Sequence, residues 1–234
     1  LAVKAHRDYY RKNKGIKYPN IITSTSVHAA FDKACDLMNI KLIKLEPNEK
    51  TRKLELNQIK KHKNSNTILI VGSAPSYSHG IFDDIKTLSE YAMKQNIGFH
   101  VDACLGGFIS AFLNLDEILD FRNPGITSLS VDIHKYGYAP KGTSVLLFRD
   151  IKLRHNAYFI YPDWTGGIYA TPTIAGSRSG TTIASAWATL LSLGQKEYRI
   201  AANQIIGVSQ YLVNEINQIN NIFIYGEPKL NVIA

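Results

Sequence analysis

Cysteine is scarce in this chain, where Cys35 and Cys104 are the only two among 234 residues. A single pair provides no disulfide framework, and its spacing does not match that of a metal-binding motif. The chain also lacks an apolar run near the ~20 residues that a membrane-spanning helix requires, and no signal peptide is visible. We therefore expect a protein of a reducing compartment, the cytoplasm, without a metal site.

Acidic residues are in the minority, since 19 Asp and Glu stand against 27 Lys and Arg and give a formal net charge of +8. The basic residues are spread along the chain. Their densest run, at 60–63, ends a predicted surface helix, where cations suit the helix dipole. An anionic substrate or a negatively charged membrane surface is a second interpretation of the charge, and we expect no nucleic-acid partner.

Segments of strand type and helix type alternate through most of the chain. The run at 67–72 is almost entirely apolar, as expected for a strand that is buried on both faces. The alternation predicts βαβ units and therefore an α/β fold, with a mostly parallel sheet flanked by helices. The predicted strands are 21–24, 40–45, 67–72, 97–102, 126–131 and 144–148, and the predicted helices between them are 28–38, 56–63 and 83–94.

Glycine and proline become frequent between residues 163 and 180, which indicates a long functional loop or a domain edge. Beyond it we predict helices at 181–193 and 195–219 and strands at 222–225 and 230–233. We assign residues 1–195 to a large domain and residues 196–234 to a connecting helix and the start of a smaller C-terminal domain. Leu1 begins within a helical pattern that has no capping residue, so we expect the large domain to be truncated at its N-terminus.

Lys135 is the first candidate for chemistry. It lies in SVDIHKYGYAPKG, between two apolar strands, where a lysine is costly unless it has a partner or a function. A partly desolvated lysine loses its proton and becomes a nucleophile that can form a Schiff base. The alternative is an ordinary surface lysine in a hairpin, and the pattern alone favours neither interpretation.

Asp102 ends a predicted strand, and a Gly-Gly loop follows it in HVDACLGGF. A carboxylate at this position can keep the ring nitrogen of pyridoxal phosphate protonated, while Lys135 binds the same cofactor covalently. The alternative is a strand-end aspartate that caps the next helix. Together the two residues predict pyridoxal phosphate as the cofactor.

The segments HVDACLGGF, DIHKYGYAPKG and DWTGGIYATPTIAGSRSG carry a resemblance that runs along essentially the whole chain. They resemble the sphingosine-1-phosphate lyase branch of the pyridoxal phosphate-dependent group II decarboxylase family. The resemblance implies an aspartate aminotransferase-like (fold type I) large domain that binds pyridoxal 5'-phosphate. It also implies retro-aldol cleavage of a phosphorylated sphingoid base into a fatty aldehyde and phosphoethanolamine.

The same resemblance implies roles for further residues. It places His28 over the face of the cofactor ring, as a catalytic residue beside Lys135 and Asp102, and His134 at the cofactor phosphate. It places Lys141 toward the substrate phosphate. Each also has a plainer interpretation: His28 as a helix-start residue, His134 as a histidine satisfied by the backbone and Lys141 as a hairpin lysine in solvent.

Ser73 follows the strand at 67–72, so we expect it at the carboxyl edge of the sheet, where ligands of open α/β sheets collect. We interpret Ser73 as a contact to the ring hydroxyl of the cofactor, and His79, a few residues later, as a residue at the substrate side of the site. A turn with ordinary serine and Asx hydrogen bonds explains both residues equally well.

The loop AGSRSG implies a homodimer with shared active sites, in which Ser177 reaches the cofactor phosphate of the other subunit. The alternative is a plain N-capped entry to a helix. By the same resemblance a phosphate-binding loop of Gly-Thr-Glu-Ser type would precede the first helix, and an N-terminal segment would anchor eukaryotic relatives to the endoplasmic reticulum. Contact with a membrane could arise through the lipid substrate. An amino-acid decarboxylase or a catalytically inactive scaffold of this fold is the rival interpretation.

Overall fold

Six strands form the central sheet of the computed structural model, which describes all residues from 1 to 234. The strands are β1 (Asn20–Ser24), β2 (Lys41–Leu45), β3 (Thr67–Ser73), β4 (Gly98–Asp102), β5 (Ser128–Asp132) and β6 (Ser144–Phe148). Their order in the sheet is β2-β1-β3-β4-β5-β6, and all pairs are parallel except β5 with β6. The predicted α/β fold with a mostly parallel sheet is confirmed, and each of the six strands predicted between residues 21 and 148 is correct within two residues at either end.

Seven helices surround and follow this sheet. They are α1 (Ala2–Lys14), α2 (Ala30–Met38), α3 (Leu56–His62), α4 (Ile85–Lys94), α5 (Gly106–Ile109), α6 (Ile151–His155) and α7 (Gly180–Ile216). Helix α7 is interrupted at Gly194, whose φ of 63° and ψ of 176° are not helical, so the two predicted helices are confirmed as two arms that meet at this glycine. None of the helices is both long and apolar enough to cross a membrane.

The apolar run of β3 is explained by its central position, because all seven of its residues are buried. Successive side chains of a strand point to opposite faces. Ile70 accordingly joins the larger core cluster, with Phe99 and Leu88, whereas Val71 joins a second cluster with Phe31. The sheet is therefore covered on both faces at β3, which is why residues 68–71 of this strand are all apolar.

The C-terminal segment differs from the prediction. The strands predicted at 222–225 and 230–233 are wrong, because this segment contains no strand, although the amide of Tyr225 donates to the carbonyl of Ala234. Leu230 instead lies in the main core cluster together with Ala202 of α7. Leu230 is thus used for packing and not for pairing with a strand, whereas Ile222 and Phe223 are exposed. The proposed boundary between a large domain and a smaller C-terminal domain, at residues 195 and 196, stays a prediction.

Two short strands were missed. β7 (Phe159–Tyr161) and β8 (Tyr169–Thr171) form a separate antiparallel pair at the start of the predicted loop. Nearly all their residues are exposed, so burial left no clear hydrophobic pattern in the sequence. The helix predicted from residue 28 begins at Ala30, which leaves His28 just before it.

Asp83 is a buried carboxylate that ties the end of β3 to the segment before α3. Its Oδ1 accepts from the amide of Leu54 and its Oδ2 accepts from the amide of Ser73, both at 2.8 Å. Both oxygens are needed as acceptors, because each faces a backbone N–H group. The side chain therefore fixes the position of the sheet edge at Ser73.

We expect Asp83→Asn to lower the free energy of unfolding by about 2 kcal/mol, because the amide NH₂ group would face a buried N–H donor and leave it unpaired. Chemical denaturation measures the change. Asp84→Asn is the matched control: Asp84 caps α4 by accepting from the Thr87 amide, and asparagine caps helices equally well, so its effect should be near zero. Equal effects of the two substitutions would contradict this account of Asp83.

Candidate active site

The carboxyl ends of β3, β4 and β5 meet at one edge of the sheet. Ser73 is paired with Asp102, and Asp102 is paired with Ser130. Asp132 ends β5, and Lys135 lies in the turn that follows. Because the three strands are parallel and adjacent, residues far apart in sequence are brought to one edge, as predicted for Ser73 and Asp102.

The carboxylate of Asp102 is held by one oxygen only. Its Oδ1 accepts from Ser130 Oγ at 3.3 Å and from the amide of Cys104 at 3.4 Å, while Oδ2 makes no hydrogen bond within the chain. The neighbouring short helix α5 has Leu105 at its N-cap and no side-chain cap. Asp102 is therefore not the cap of that helix, and it offers an open acceptor at the sheet edge.

The two glycines after Asp102 allow the loop to turn back closely over the sheet. A Cβ atom on Gly106 would lie 2.4 Å from the carbonyl oxygen of Ala74, and one on Gly107 would lie 2.7 Å from Cγ2 of Val131. Both distances are too short for a real side chain. The Gly-Gly sequence is thus required by the contact of this loop with the strands on either side of β4.

Lys135 has a partner that the sequence analysis did not identify. Its Nζ lies 3.1 Å from Oδ2 of Asp132, whose side chain is only 9% exposed, and Ser144 Oγ donates to Oδ1 of the same carboxylate. The signal was present in the sequence as an aspartate three residues before the lysine. This ion pair is a partner of the kind that makes a lysine between two strands less costly.

His134 has its ring oriented by the backbone. Its Nδ1 lies 2.7 Å from the carbonyl oxygen of Thr143, and since a carbonyl only accepts, the proton is on Nδ1. The other nitrogen, Nε2, lies 3.6 Å from Asp132 Oδ2. Nε2 therefore carries a proton only when the ring is charged, and only then can it donate to an anion such as a phosphate.

Tyr198 of α7 supports the turn that carries Lys135. Its hydroxyl donates to the carbonyl of Gly137 at 2.7 Å, and its ring is stacked on Phe112 with the centroids 5.2 Å apart. The ring of Tyr138 lies parallel to it at 6.5 Å. In the sequence, a tyrosine in a long amphipathic helix cannot be distinguished from an ordinary core residue, so this support was not predicted.

The remaining predicted residues lie further from these contacts. His28 is exposed before α2, and its Nδ1 accepts from the amide of Ala30 at 3.1 Å. His79 is half-buried, with its ring centroid 6.2 Å from that of Tyr225, and Lys141 is exposed in the hairpin between β5 and β6. None of the three makes a hydrogen bond or ion pair with Lys135 or Asp102, and their roles stay predictions.

The AGSRSG loop is exposed throughout. Ser179 is the N-cap of α7 and accepts from the amide of Thr181 at 3.2 Å, so the plainer interpretation of the loop applies to this serine. The hydroxyl of Ser177 makes no hydrogen bond and remains available to a ligand or partner. Its predicted contact with a cofactor phosphate of another subunit stays a prediction.

The residues at the sheet edge fit pyridoxal phosphate. Lys135 supplies an amine for the aldehyde carbon, and Oδ2 of Asp102 is an unoccupied acceptor for a protonated ring nitrogen. The side chain of Lys135 is 33% exposed, which leaves it within reach of a ligand. The cofactor requires an amine for its aldehyde carbon and a carboxylate oxygen for its ring nitrogen, and Lys135 and Asp102 offer these two groups.

Comparison with known proteins places the whole chain in one family. Residues 2–234 match the family described as the pyridoxal-dependent decarboxylase conserved domain. The chain is 44% identical over 238 residues to sphingosine-1-phosphate lyase of Dictyostelium discoideum, covering 100% of this chain and 45% of the relative. It is 45% identical over 239 residues to sphingosine-1-phosphate lyase 1 of Rattus norvegicus, covering 100% and 42%. The chain thus spans less than half the length of these relatives.

Solved structures show the same likeness. A sphingosine-1-phosphate lyase of Burkholderia pseudomallei superposes with a TM-score of 0.94 at 37% identity, covering 98% of this chain and 53% of that one. A glutamate decarboxylase of Lactobacillus brevis superposes with a TM-score of 0.83 at 23% identity, covering 98% and 54%, which shows a shared fold. The predicted fold type I architecture is confirmed by these neighbours.

We expect Lys135→Ala to abolish covalent attachment of pyridoxal phosphate. Lys135 is the lysine that is paired with Asp132 at this sheet edge, and alanine has no amine to replace it. Borohydride reduction followed by peptide mass spectrometry locates the attached cofactor. Lys141→Ala is the matched control, since Lys141 is exposed in the adjoining hairpin and should leave attachment intact. Full labelling of the Lys135→Ala protein at another lysine would contradict the assignment.

Three findings agree on the family. The match extends over residues 2–234, the fold is that of pyridoxal-dependent enzymes, and the sheet edge carries the lysine and carboxylate that the cofactor needs. The match also implies pyridoxal phosphate as the cofactor. This chain belongs to the pyridoxal-dependent decarboxylase family.

Proposed function

We propose that the protein is a pyridoxal phosphate-dependent carbon–carbon lyase that cleaves sphingosine-1-phosphate, or a related phosphorylated long-chain base, into a fatty aldehyde and phosphoethanolamine. The observation that carries the proposal is that the open carboxylate of Asp102 and the paired amine of Lys135 lie at the same edge of the sheet, at the carboxyl ends of β4 and β5. The specific substrate is supported by the similarity of the whole chain to sphingosine-1-phosphate lyases, at 44% and 45% identity.

Residues of this chain account for the part of the reaction that holds the cofactor. Bound pyridoxal phosphate supplies a sink for the electron pair of the breaking C2–C3 bond. Lys135 would hold the cofactor through its Nζ, and Asp132, whose Oδ2 lies 3.1 Å from that nitrogen, offers the amine a counter-charge whenever it is free and protonated. Asp102 Oδ2 would accept a hydrogen bond from the protonated ring nitrogen and so keep that nitrogen charged. The C3 hydroxyl gives up its proton as the bond breaks, and a proton returned to C2 completes phosphoethanolamine.

Two residues are proposed for the anionic parts of the ligands. Lys141 is exposed in the hairpin after Lys135 and can reach outward to a substrate phosphate. His134, with its Nδ1 committed to Thr143, can donate through Nε2 to the cofactor phosphate in its charged form. His28 over the cofactor ring, Ser73 at the ring hydroxyl and His79 at the substrate side complete the proposed site. The net charge of +8 suits an anionic substrate.

Product analysis tests the function. The whole protein that contains this chain, loaded with pyridoxal phosphate and given sphingosine-1-phosphate, should produce fatty aldehyde and phosphoethanolamine in equal amounts. The Lys135→Ala protein should produce neither. Release of carbon dioxide from amino acids, with no aldehyde from the phosphorylated base, would replace the proposal with a decarboxylase, and cofactor binding without any product would indicate a scaffold.

We also propose a cytoplasmic homodimer with shared sites. The exposed loop that contains Ser177 runs into an α7 surface with large exposed apolar side chains, since Ile183, Trp187 and Leu191 are 56%, 65% and 63% exposed. A monomer rarely leaves such residues together in water, and a second copy would cover them. Both cysteines are free, which fits a reducing compartment.

Mixing two inactive variants tests the sharing. Lys135→Ala removes the cofactor amine, and Ser177→Asp repels a phosphate. If Ser177 serves the other subunit, each mixed dimer has one site with both defects and one intact site. Re-equilibrated mixtures should then regain up to about one quarter of wild-type activity for random pairing. Complete inactivity despite subunit exchange, verified with tagged chains, would place Ser177 in its own chain's site, and full activity of the Ser177→Asp protein by itself would place Ser177 outside the site.

A further inference from the structure

A row of hydrogen bonds crosses from β5 to β4 and ends at Asp102. His100 and Asp102 are two residues apart on β4, so they share one face of the sheet, and they are paired with Ser128 and Ser130 on β5. His100 Nδ1 lies 2.8 Å from Ser128 Oγ, and His100 Nε2 lies 3.2 Å from Ser130 Oγ. Ser130 Oγ in turn lies 3.3 Å from Asp102 Oδ1.

The direction of these bonds follows from the carboxylate. An ionised carboxylate only accepts, so the hydroxyl proton of Ser130 is given to Asp102. The oxygen of Ser130 is then left as an acceptor for the N–H at Nε2 of His100. A neutral imidazole has one N–H, so Nδ1 must accept the hydroxyl proton of Ser128. Every bond in the row therefore donates toward Asp102.

Burial keeps the row in this state. His100 is 1% exposed, and burial lowers its pKa to about 3, so the ring stays neutral at physiological pH. The ring also lies 5.7 Å from that of Phe31, which limits its rotation. The thiol of Cys104 lies 3.4 Å from Ser130 Oγ, and because burial raises the pKa of this thiol, it remains a protonated second donor to the serine.

We propose that His100 is a positioning residue that acts through Ser130 to hold Asp102 by Oδ1, which leaves Oδ2 free for the ring nitrogen of the cofactor. Without the N–H of His100, Ser130 could turn its hydroxyl away and the carboxylate could rotate. The inference rests on the proposed role of Asp102 and not on the substrate. Its test therefore measures proton positions and cofactor binding, and failure of the lyase assay leaves it standing.

The first experiment needs no variant. Histidines labelled with ¹⁵N report in NMR spectra which ring nitrogen carries the proton. His100 should be neutral with its proton on Nε2, unchanged between about pH 8 and about pH 5. His6 is an internal reference: it is equally buried, but its Nδ1 faces the carbonyl of Ala2 at 2.8 Å and must donate to it. A proton on Nδ1 of His100, or a charged ring within this range, would overturn the proposal.

The second experiment compares cofactor affinity among variants, by titration followed through cofactor absorbance. His100→Leu should weaken binding about tenfold, while His100→Gln should recover part of the loss because its amide can donate to Ser130. His6→Leu is the matched control: it removes a buried histidine bonded to Thr127 and not to Ser130, so it should lower thermal stability without weakening cofactor binding.

The route through Ser130 is tested in the same assay. Ser130→Ala should weaken binding to a similar degree, and adding His100→Leu to it should cause little further loss, because the two changes interrupt the same row. A full tenfold effect of His100→Leu in the Ser130→Ala protein would overturn the route. So would equal losses of affinity in His100→Leu and His6→Leu, which would mean that the effect is one of general stability.

Discussion

The parallel pairing of β3, β4 and β5 is the constraint on which the site depends. Parallel strands end on the same side of a sheet, so the register that pairs Ser73 with Asp102 and Asp102 with Ser130 also aligns their side chains at one edge. The antiparallel return of β6 then closes a hairpin around Lys135. The chemistry-bearing residues are therefore brought to one edge by the backbone hydrogen bonds of the sheet.

Charge at this edge is balanced within short distances. Asp132 is buried and would be costly alone, but it is paired with Lys135 at 3.1 Å and accepts from Ser144. Asp102 is half-buried and has two donors on one oxygen. Each carboxylate thus has a defined set of partners. Oδ2 of Asp102 remains free, and it is the oxygen that the ring nitrogen of the cofactor would need. Support from α7 through Tyr198 holds the Lys135 turn in the same place.

The fold was largely predictable because its signals are local. The apolar run of β3 and the alternation of strands and helices located all six strands of the main sheet. The errors fall where burial and pairing disagree with local pattern. Leu230 of the tail packs into the core without forming a strand, and the exposed residues of β7 pair with β8 without being buried. Neither outcome can be read from a few adjacent residues.

The sequence by itself determined which chemistry is present: Lys135 after one strand, Asp102 before a Gly-Gly loop, and motifs that resemble one family over the whole chain. Only the tertiary structure decided which residues contact and orient Lys135 and Asp102. Asp132 as the partner of Lys135, Tyr198 beneath its turn, and His100 joined through Ser130 to Asp102 depend on distances between separate strands and helices. Such distances are set by sheet register and core packing, which involve residues far apart in the chain.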